Sequence, residues 1–290
     1  MMISNTSNYQ QQLREHMEYA NFAEKSIKSY LSCLKNFKKY LRDNNINEGQ
    51  EYDHIKTFLL YKRRNGSAPS TINSYYSALR LYTKYVCNRS WNIDQLPRPI
   101  RANKLPKILS KEDVKSIIEA SSNYRNFTIL SVLYGTGMRL SEVANLKIAD
   151  IDGNRLQIRV NQAKGNKDRM VDMPQSLLLL LREYYKFCRP RIYLFCGQNY
   201  GQPISHRTIQ HIFNIAKIKA NIIKDASVHT LRHCYATHHL EDGTDIVNLK
   251  LQLGHNSLKT TVRYIHVCAN RVTKISHPLE KINPQFRRPK

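Results

Sequence analysis

A proline-rich, basic segment divides the chain and limits the folds that it can adopt. The segment LPRPIRANKLPK (96–107) places three prolines among basic residues and lacks the apolar spacing of a helix. Proline removes a backbone donor and interrupts helices, so this stretch is expected to be extended. A length of 290 residues suits about two domains. We therefore predict a first domain over 1–98, a basic linker over 99–108 and a second domain over 109–290.

The first part has the pattern of a helical domain. Apolar residues recur at helical spacing between about 27 and 41, with lysines between them, and again from Ile72 to Tyr85. Pro69 is placed to open a helix after the loop NGSAPST. These signals predict four helices between residues 10 and 90, with most of the aromatic residues in the core.

The second part predicts a mixed domain. Ser110 and Asp113 have the spacing of a capping box before an apolar-periodic helix. Two short strands, at about 155–161 and 168–173, flank the turn AKGNKD, and helical patterns fill most of the remainder. The predicted fold class is mainly α with a small antiparallel β-sheet, that is, α+β.

The charge predicts a polyanionic partner. The chain has 46 Lys and Arg against 22 Asp and Glu, a net charge of +24. Residues 1–100 hold 15 basic and 8 acidic residues, and residues 101–290 hold 31 and 14. Basic side chains that neutralise phosphates release condensed counterions, so both parts are expected to contact nucleic acid. A ribosomal or membrane-surface protein more often carries its charge in tails or amphipathic helices.

Other features predict a cytoplasmic protein without a cofactor. The first residues are polar and lack the apolar core of a signal peptide, and no apolar run reaches the roughly 18 residues of a membrane span. Six cysteines without a CxxC pair favour reduced thiols. His233, His238 and His239 lie near Cys234, but their spacing matches no established zinc pattern, so no metal is expected.

Five short strings contain a set of polar residues suited to phosphodiester chemistry. The strings are GTGMRLSE (135–142), QAKGNKDRM (162–170), HTLRHCYATHHL (229–240), LQLGH (251–255) and TVRYIH (261–266). The set is Arg139, Lys164, His229, Arg232, His255 and Tyr264. Arginine forks match phosphate oxygens and can stabilise the charge that develops in a pentacoordinate transition state. Since the set contains no carboxylate, its chemistry suits an anionic substrate.

Tyr264 is the candidate nucleophile within this set. A free phenol has a pKa of about 10, so it needs neighbouring cations and a proton acceptor to react. His229 and Arg232 share one helix face because they are three residues apart. His229 and His255 could donate to phosphate oxygens or move the phenolic proton, since the pKa of histidine lies near neutrality.

The order of these strings resembles the tyrosine recombinase (phage integrase) family. The resemblance is strong over 109–268 and weaker over 10–90, which looks like the family's four-helix, SAM-like core-binding domain. It implies a site-specific recombinase that cleaves DNA through a 3′-phosphotyrosyl intermediate, without metal or ATP, as a homotetramer on paired inverted half-sites. In that comparison Lys164 gives a proton to the leaving 5′ oxygen and Glu142 supports the site. The tail after Tyr264 would pack on a neighbouring protomer.

The resemblance also favours a Xer-like enzyme or a mobile-element integrase, with or without a second recombinase or accessory factor. Candidate phosphate contacts outside the six residues are basic side chains on predicted helices, the linker and the hairpin. They are Lys38, Lys39, Arg63, Arg64, Arg80, Lys84, Arg101, Lys104, Lys107, Lys167 and Arg169.

Two other functions remain open at this point. A DNA-binding or architectural protein without cleavage would explain the charge but does not require the phenol and both histidines. A type IB topoisomerase would share the chemistry, although the short chain argues against it. A metal-dependent nuclease is disfavoured because no acidic cluster lies near the basic motifs.

Overall fold

The computed structural model describes residues 5–47, 49–92, 94, 96–100, 106–163, 167–197, 201–265 and 267–268. The chain separates into two compact units, and the division falls between Lys104 and Leu105. The described residues contain no helix that is both long enough and apolar enough to cross a membrane. The predicted fold class, mainly helical with a small antiparallel sheet, is confirmed.

The first unit is a four-helix domain, as predicted. Its helices are α1 (Asn5–Tyr19), α2 (Glu24–Asp43), α3 (Ile55–Arg64) and α4 (Pro69–Tyr85). Pro69 occupies the start of α4, where its missing N–H has no helical partner to lose. Leu34, Phe37, Phe58 and Tyr82 are fully buried members of one core. The apolar face of each helix is therefore used for packing, while the basic residues between these positions face outward.

Lys38 is an exception to that outward pattern. Its side chain is only 11% exposed, and its Nζ lies 3.1 Å from Oε1 of Glu51 and over the rings of Tyr9 and Tyr82. A buried cation requires such partners, because an unpaired charge loses its hydration without compensation. The ammonium group of Lys38 is therefore paired within the first unit, and its contact with DNA stays a prediction that this pairing disfavours.

The start of the proline-rich segment 96–107 lies along α4. Arg98 donates from Nε to Oδ1 of Asn73 at 3.0 Å, and Asn73 donates to the carbonyl of Pro99 at 3.1 Å. The hydroxyl of Tyr76 donates to the carbonyl of Leu96 at 3.1 Å. These bonds give residues 96–99 a defined path without regular secondary structure. Arg101 and Lys104 lie outside the described residues.

The second unit contains a three-stranded antiparallel sheet in the order β1-β2-β3. Its helices are α5 (Lys111–Glu119), α6 (Tyr124–Thr136), α7 (Leu140–Ala144), α8 (Gln175–Cys188), α9 (His206–Lys219), α10 (Val228–Glu241), α11 (Ile246–Leu253) and α12 (Leu258–Ile265). The strands are β1 (Ile151–Asp152), β2 (Gln157–Ala163) and β3 (Lys167–Asp172). Ser110 and Asp113 form the predicted capping box at α5. The two-residue strand β1 was not predicted, since it is too short to show a period.

Helix α10 is the centre of the second unit. It packs against α5, α6, α9, α11 and α12, and most of its residues are buried. A helix buried on nearly all sides shows little amphipathic pattern, so its polar residues need internal partners. His229, Arg232 and His233 lie on this helix. The most enclosed helix of the unit therefore carries three of the polar side chains that concern function.

Candidate active site

A tight turn between α6 and α7 positions Arg139. Gly137 ends α6 with a φ of +60°, and a Cβ atom there would lie 2.3 Å from Cδ1 of Tyr235. Only glycine suits both the left-handed conformation and this close approach. The chain then turns so that Arg139 directly precedes α7, and its backbone N–H donates to Oε2 of Glu142 at 2.7 Å.

Glu142 joins two arginines. Its Oε1 accepts from Nη1 of Arg139 at 2.8 Å, and its two carboxylate oxygens accept from Nη1 and Nη2 of Arg169, both at 2.8 Å. Burial alone would raise the pKa of this carboxyl, but the hydrogen bonds and charges of Arg169 and Arg139 lower it to about 2. Glu142 is thus an anion at neutral pH that orients both guanidiniums, and its role in supporting the reaction stays a prediction.

The arrangement also disfavours the predicted DNA contact of Arg169. Its side chain is 11% exposed, and its three nitrogens are occupied by Glu142 and by the carbonyl of Gln252. A guanidinium in a bidentate carboxylate pair has few donors left for a DNA phosphate. Arg169 is therefore part of the framework of the site.

Three arginines meet the C-terminal end of α11. The consecutive carbonyls of Gln252, Leu253 and Gly254 accept from Arg169 at 3.2 Å, Arg232 at 2.6 Å and Arg139 at 3.1 Å. These carbonyls lack helical partners and carry the negative end of the helix dipole, so they attract cations. The string LQLGH therefore supplies, besides His255, the backbone carbonyls that hold the three arginines close together.

Arg232 lies deepest in this cluster. Arg232 is only 6% exposed. Its Nη1 donates to the carbonyl of Gly137 at 2.6 Å, and its Nη2 lies 3.2 Å from Nε2 of His255. Burial and the charge of Arg139 lower the pKa of Arg232 to about 10, so the guanidinium stays charged at neutral pH.

Both predicted histidines border the arginines. His255 places Nδ1 2.9 Å from Oγ1 of Thr261, and burial together with Arg232 and Arg139 lowers its pKa to about 4. His229 lies exposed in the first turn of α10, and desolvation and the same arginines lower its pKa from the ordinary value. Both imidazoles are therefore neutral near pH 7 and can each offer one N–H and one lone pair.

Tyr264 lies within the same cluster, on α12. The residue is 4% exposed, and its ring runs parallel to that of His255 with centroids 6.3 Å apart. Burial raises the pKa of the phenol, while the charges of Arg232, Arg263 and Arg139 act in the opposite direction. Four of the six predicted residues, Arg139, Arg232, His255 and Tyr264, thus come together, and His229 lies one turn before His233 on α10. Lys164 lies outside the described residues.

His233 is a contact of the site that the sequence analysis missed. Its Nδ1 lies 3.0 Å from the phenolic oxygen of Tyr264. In the sequence it was considered only as a metal ligand, together with its neighbours. The structure separates that group: His238 bonds to Tyr134 and to the carbonyl of Leu109, and His239 bonds to Thr244. Within the described residues no cluster of metal ligands is found.

The remaining basic candidates lie at the surface of their units where the structure describes them. The exposed members are Lys39, Arg63, Arg64, Arg80, Lys84 and Lys107. Lys107 is paired with Asp225. Lys167 begins β3, but its side chain is outside the described part of the structure.

A helical domain is followed by a mixed domain in which cations collect around one tyrosine, an arrangement suited to an anionic phosphodiester. The model of the phage integrase family matches residues 107–271, and that of the phage integrase N-terminal SAM-like domain matches residues 10–93. The chain therefore belongs to the phage integrase family. Site-specific DNA recombination is the activity of this family, and the chain shares it.

Relatives and solved structures agree with this membership. A Sinorhizobium fredii protein named as an integrase/recombinase is 34% identical over 272 residues, covering 93% of this chain and 88% of that protein. Tyrosine recombinase XerD of Staphylococcus epidermidis is 30% identical, with 89% and 95% covered. The structure of XerH recombinase bound to a palindromic difH substrate, in a post-cleavage complex, matches 93% of this chain and 83% of its own with a TM-score of 0.72 at 21% identity. The likeness to XerH, at 21% identity, shows a shared fold.

Proposed function

We propose that this recombinase cleaves one DNA strand at a time, with Tyr264 as the nucleophile and Arg139, Arg232, His229, His255 and Lys164 as the groups that act on the phosphate. One observation carries the proposal. Arg139 and Arg232 donate to consecutive carbonyls at the end of α11, and Tyr264 lies within the field of both. Two arginines at one point can hold two non-bridging oxygens of a phosphodiester and stabilise the charge that develops on them.

The reaction balances without an external energy source. The phenol gives its proton to an imidazole of the site as its oxygen attacks phosphorus, the bond from phosphorus to the 5′ oxygen breaks, and a 3′-phosphotyrosyl link forms. Lys164 gives a proton to the 5′ oxygen, which leaves as a hydroxyl. Because the link conserves the energy of the broken bond, a 5′-hydroxyl from another strand can reverse the reaction without metal or ATP.

The DNA partner is a duplex with inverted half-sites, bound by both units. The first unit acts as the core-binding domain over 1–98 and the linker follows the backbone over 99–108. The catalytic domain covers 109–290. The exposed cations Lys39, Arg63, Arg64, Arg80, Lys84 and Lys107 support phosphate contacts, and Arg101, Lys104 and Lys167 complete the proposed set. Such contacts predict affinity that falls steeply with salt.

The active assembly is a homotetramer on paired sites in the cytoplasm. Related structures include a lambda integrase tetramer bound to a Holliday junction, with a TM-score of 0.71 at 16% identity. By analogy, residues that follow Tyr264 would pack on a neighbouring protomer. Removal of residues 273–290 should then weaken synapsis in a gel-shift assay, and unchanged synapsis would contradict this part of the proposal.

The decisive experiment is covalent trapping. The cognate site is first located by footprinting, and a nicked suicide duplex that carries it is incubated with the full chain. We expect an SDS-resistant complex with the wild-type protein and none with Tyr264→Phe, while DNA affinity stays nearly unchanged. Tyr235→Phe is the matched control, because Tyr235 is similarly buried in the same cluster and keeps its ring.

The outcomes separate the alternatives. An adduct with Tyr264→Phe would assign the nucleophile to another residue. Site-specific binding without any adduct would favour a non-cleaving DNA-binding protein. Relaxation of supercoiled DNA at a single site, without strand exchange between two sites, would favour a type IB topoisomerase.

A further inference from the structure

The hydrogen bond between His233 and Tyr264 is a feature that the six predicted residues leave unexplained. Nδ1 of His233 lies 3.0 Å from the phenolic oxygen, and the two rings are 5.6 Å apart between centroids. His233 lies on α10 and Tyr264 on α12, so this contact joins the central helix to the helix of the nucleophile. Among the described residues, this is the single hydrogen bond of the phenolic oxygen.

The other two imidazoles of the site are placed differently. Nε2 of His255 faces the guanidinium of Arg232 at 3.2 Å, and its Nδ1 faces Thr261 at 2.9 Å. Since a guanidinium can only donate, the lone pair of His255 Nε2 is directed at Arg232 and not at the phenol. His229 is exposed one turn before His233, where it can face an incoming phosphate.

We assign the hydrogen of this contact to the phenol, which donates to Nδ1 of His233. A phenol carries a single donor, and Nδ1 of His233 is the acceptor within reach in the described structure. The neutral imidazole then has its hydrogen on Nε2 and its lone pair on Nδ1. This is the geometry in which an imidazole orients a hydroxyl and can receive its proton.

We propose that His233 orients the phenol of Tyr264 and receives its proton when the phenolic oxygen attacks phosphorus. The proposal rests on the proposed role of Tyr264 as the nucleophile. As the oxygen–phosphorus bond forms, the phenolic O–H bond breaks and its proton moves to Nδ1, which leaves His233 as an imidazolium. When a 5′-hydroxyl later attacks the phosphotyrosyl link, its proton passes back to the group that had protonated the leaving 5′ oxygen, and the imidazolium of His233 returns its proton to the departing phenolic oxygen.

The charges around His233 fit this role. The groups that face it are Arg263 on α12, His229 and Arg232 on α10, and the phenol itself; Arg139, from the start of α7, acts on the phenol. Burial, Arg263, His229 and Arg232 lower the pKa of His233 to about 4, so its lone pair is free at neutral pH. A bound phosphate adds negative charge and makes the imidazole more basic, while bond formation to phosphorus makes the phenol more acidic.

The test is the pH dependence of single-turnover cleavage by His233→Asn. Asparagine places an acceptor oxygen near the position of Nδ1 but cannot take the proton. We expect the wild-type rate to be level between about pH 6 and 9, since His233 stays neutral there. The variant should be slower by about 10²-fold at neutral pH, the usual contribution of a proton acceptor. Its rate should rise tenfold per pH unit, because the phenol must then ionise before attack.

Two controls separate this test from a general loss of structure. His239→Asn changes an imidazole farther along α10, which bonds to Thr244, and it should keep the wild-type rate and pH profile. DNA affinity and melting temperature are measured for every variant. If His233→Asn matches the wild type in rate and slope, or cleaves faster, the proposal is overturned while the role of Tyr264 stands. If the wild-type protein itself forms no adduct at Tyr264, the proposed function fails instead.

Discussion

Each unit of the molecule encloses a set of charged side chains, and the two sets differ in their balance. In the first unit, one cation, Lys38, meets one carboxylate, Glu51, with 11% and 13% of their side chains exposed. In the second unit, Arg139, Arg169 and Arg232 gather around a single carboxylate, Glu142, and around carbonyls of α11. The first set is neutral and the second has an excess of positive charge.

The difference shows what burial of charge can serve. A balanced pair satisfies its own electrostatics and needs no ligand, so Lys38 and Glu51 can act only in packing and orientation. An excess of two cations, held by backbone carbonyls, remains incompletely neutralised until an anion arrives. Burial, together with the positive charge of neighbouring arginines, lowers the pKa of the nearby imidazoles of His233 and His255. Preorganised cations of this kind stabilise charge that develops during a reaction.

The largest effect is expected from Glu142→Gln, which removes the anion from the second set. Two guanidiniums then lose their carboxylate, and breaking a buried ion pair in this way costs about 3–5 kcal/mol. We expect a large fall in the free energy of unfolding, measured by urea denaturation, and loss of covalent trapping. Glu119→Gln, an exposed residue on α5, is the control and should change neither quantity.

The lowered pKa of Glu142 also predicts how the free energy of unfolding depends on pH. The pKa of Glu142 is lowered from 4.5 to about 2, so its contribution is complete above pH 4.5 and is lost as the pH falls toward 2. A shift of this size corresponds to about 3 kcal/mol. The wild-type protein should lose this stability on acidification, and Glu142→Gln should lack that part of the curve. Parallel curves for the two proteins would contradict the assignment.

The next effect is expected from Gly137→Ala, at the turn that precedes Arg139. The added methyl group meets the ring of Tyr235 in a left-handed backbone conformation. Gly66→Ala, in the first unit, has a φ of +77° but nothing within 4 Å of the new atom. The backbone cost is roughly 1–2 kcal/mol at either position, and overpacking adds roughly 1–3 kcal/mol at Gly137 alone. Equal losses in the free energy of unfolding of the two variants would show that the close approach to Tyr235 adds no cost to the substitution at Gly137.

Much of the fold follows from local patterns in the sequence. Helix α2 was predictable because apolar residues recur every three or four positions with lysines between them, and these residues are the ones that pack. The candidate catalytic set could be picked out because its residue types are rare as a group and occur in ordered strings. Such signals lie within short windows of the chain.

The sequence could not show the partners that only the tertiary structure brings together. Arg169 meets Glu142 across 27 positions and Lys38 meets Glu51 across 13, so neither pair forms a local pattern. An arginine or lysine on a predicted hairpin or helix was therefore taken as free for DNA. His233 was overlooked for the same reason, because its contact with Tyr264 requires α10 and α12 to lie side by side.

The smallest effect is expected at the balanced pair of the first unit. Lys38→Met leaves Glu51 without its cation and should lower the free energy of unfolding by about 1–3 kcal/mol, since a buried carboxylate loses a charged hydrogen bond. The double variant Lys38→Met, Glu51→Gln removes both charges and should recover most of that loss. Covalent trapping should be normal in both, because the pair lies in the unit without the candidate nucleophile. If Lys38→Met weakened DNA binding while leaving stability unchanged, Lys38 would be a phosphate contact. The Lys38–Glu51 pair would then not be a purely structural counterpart of the cationic cluster.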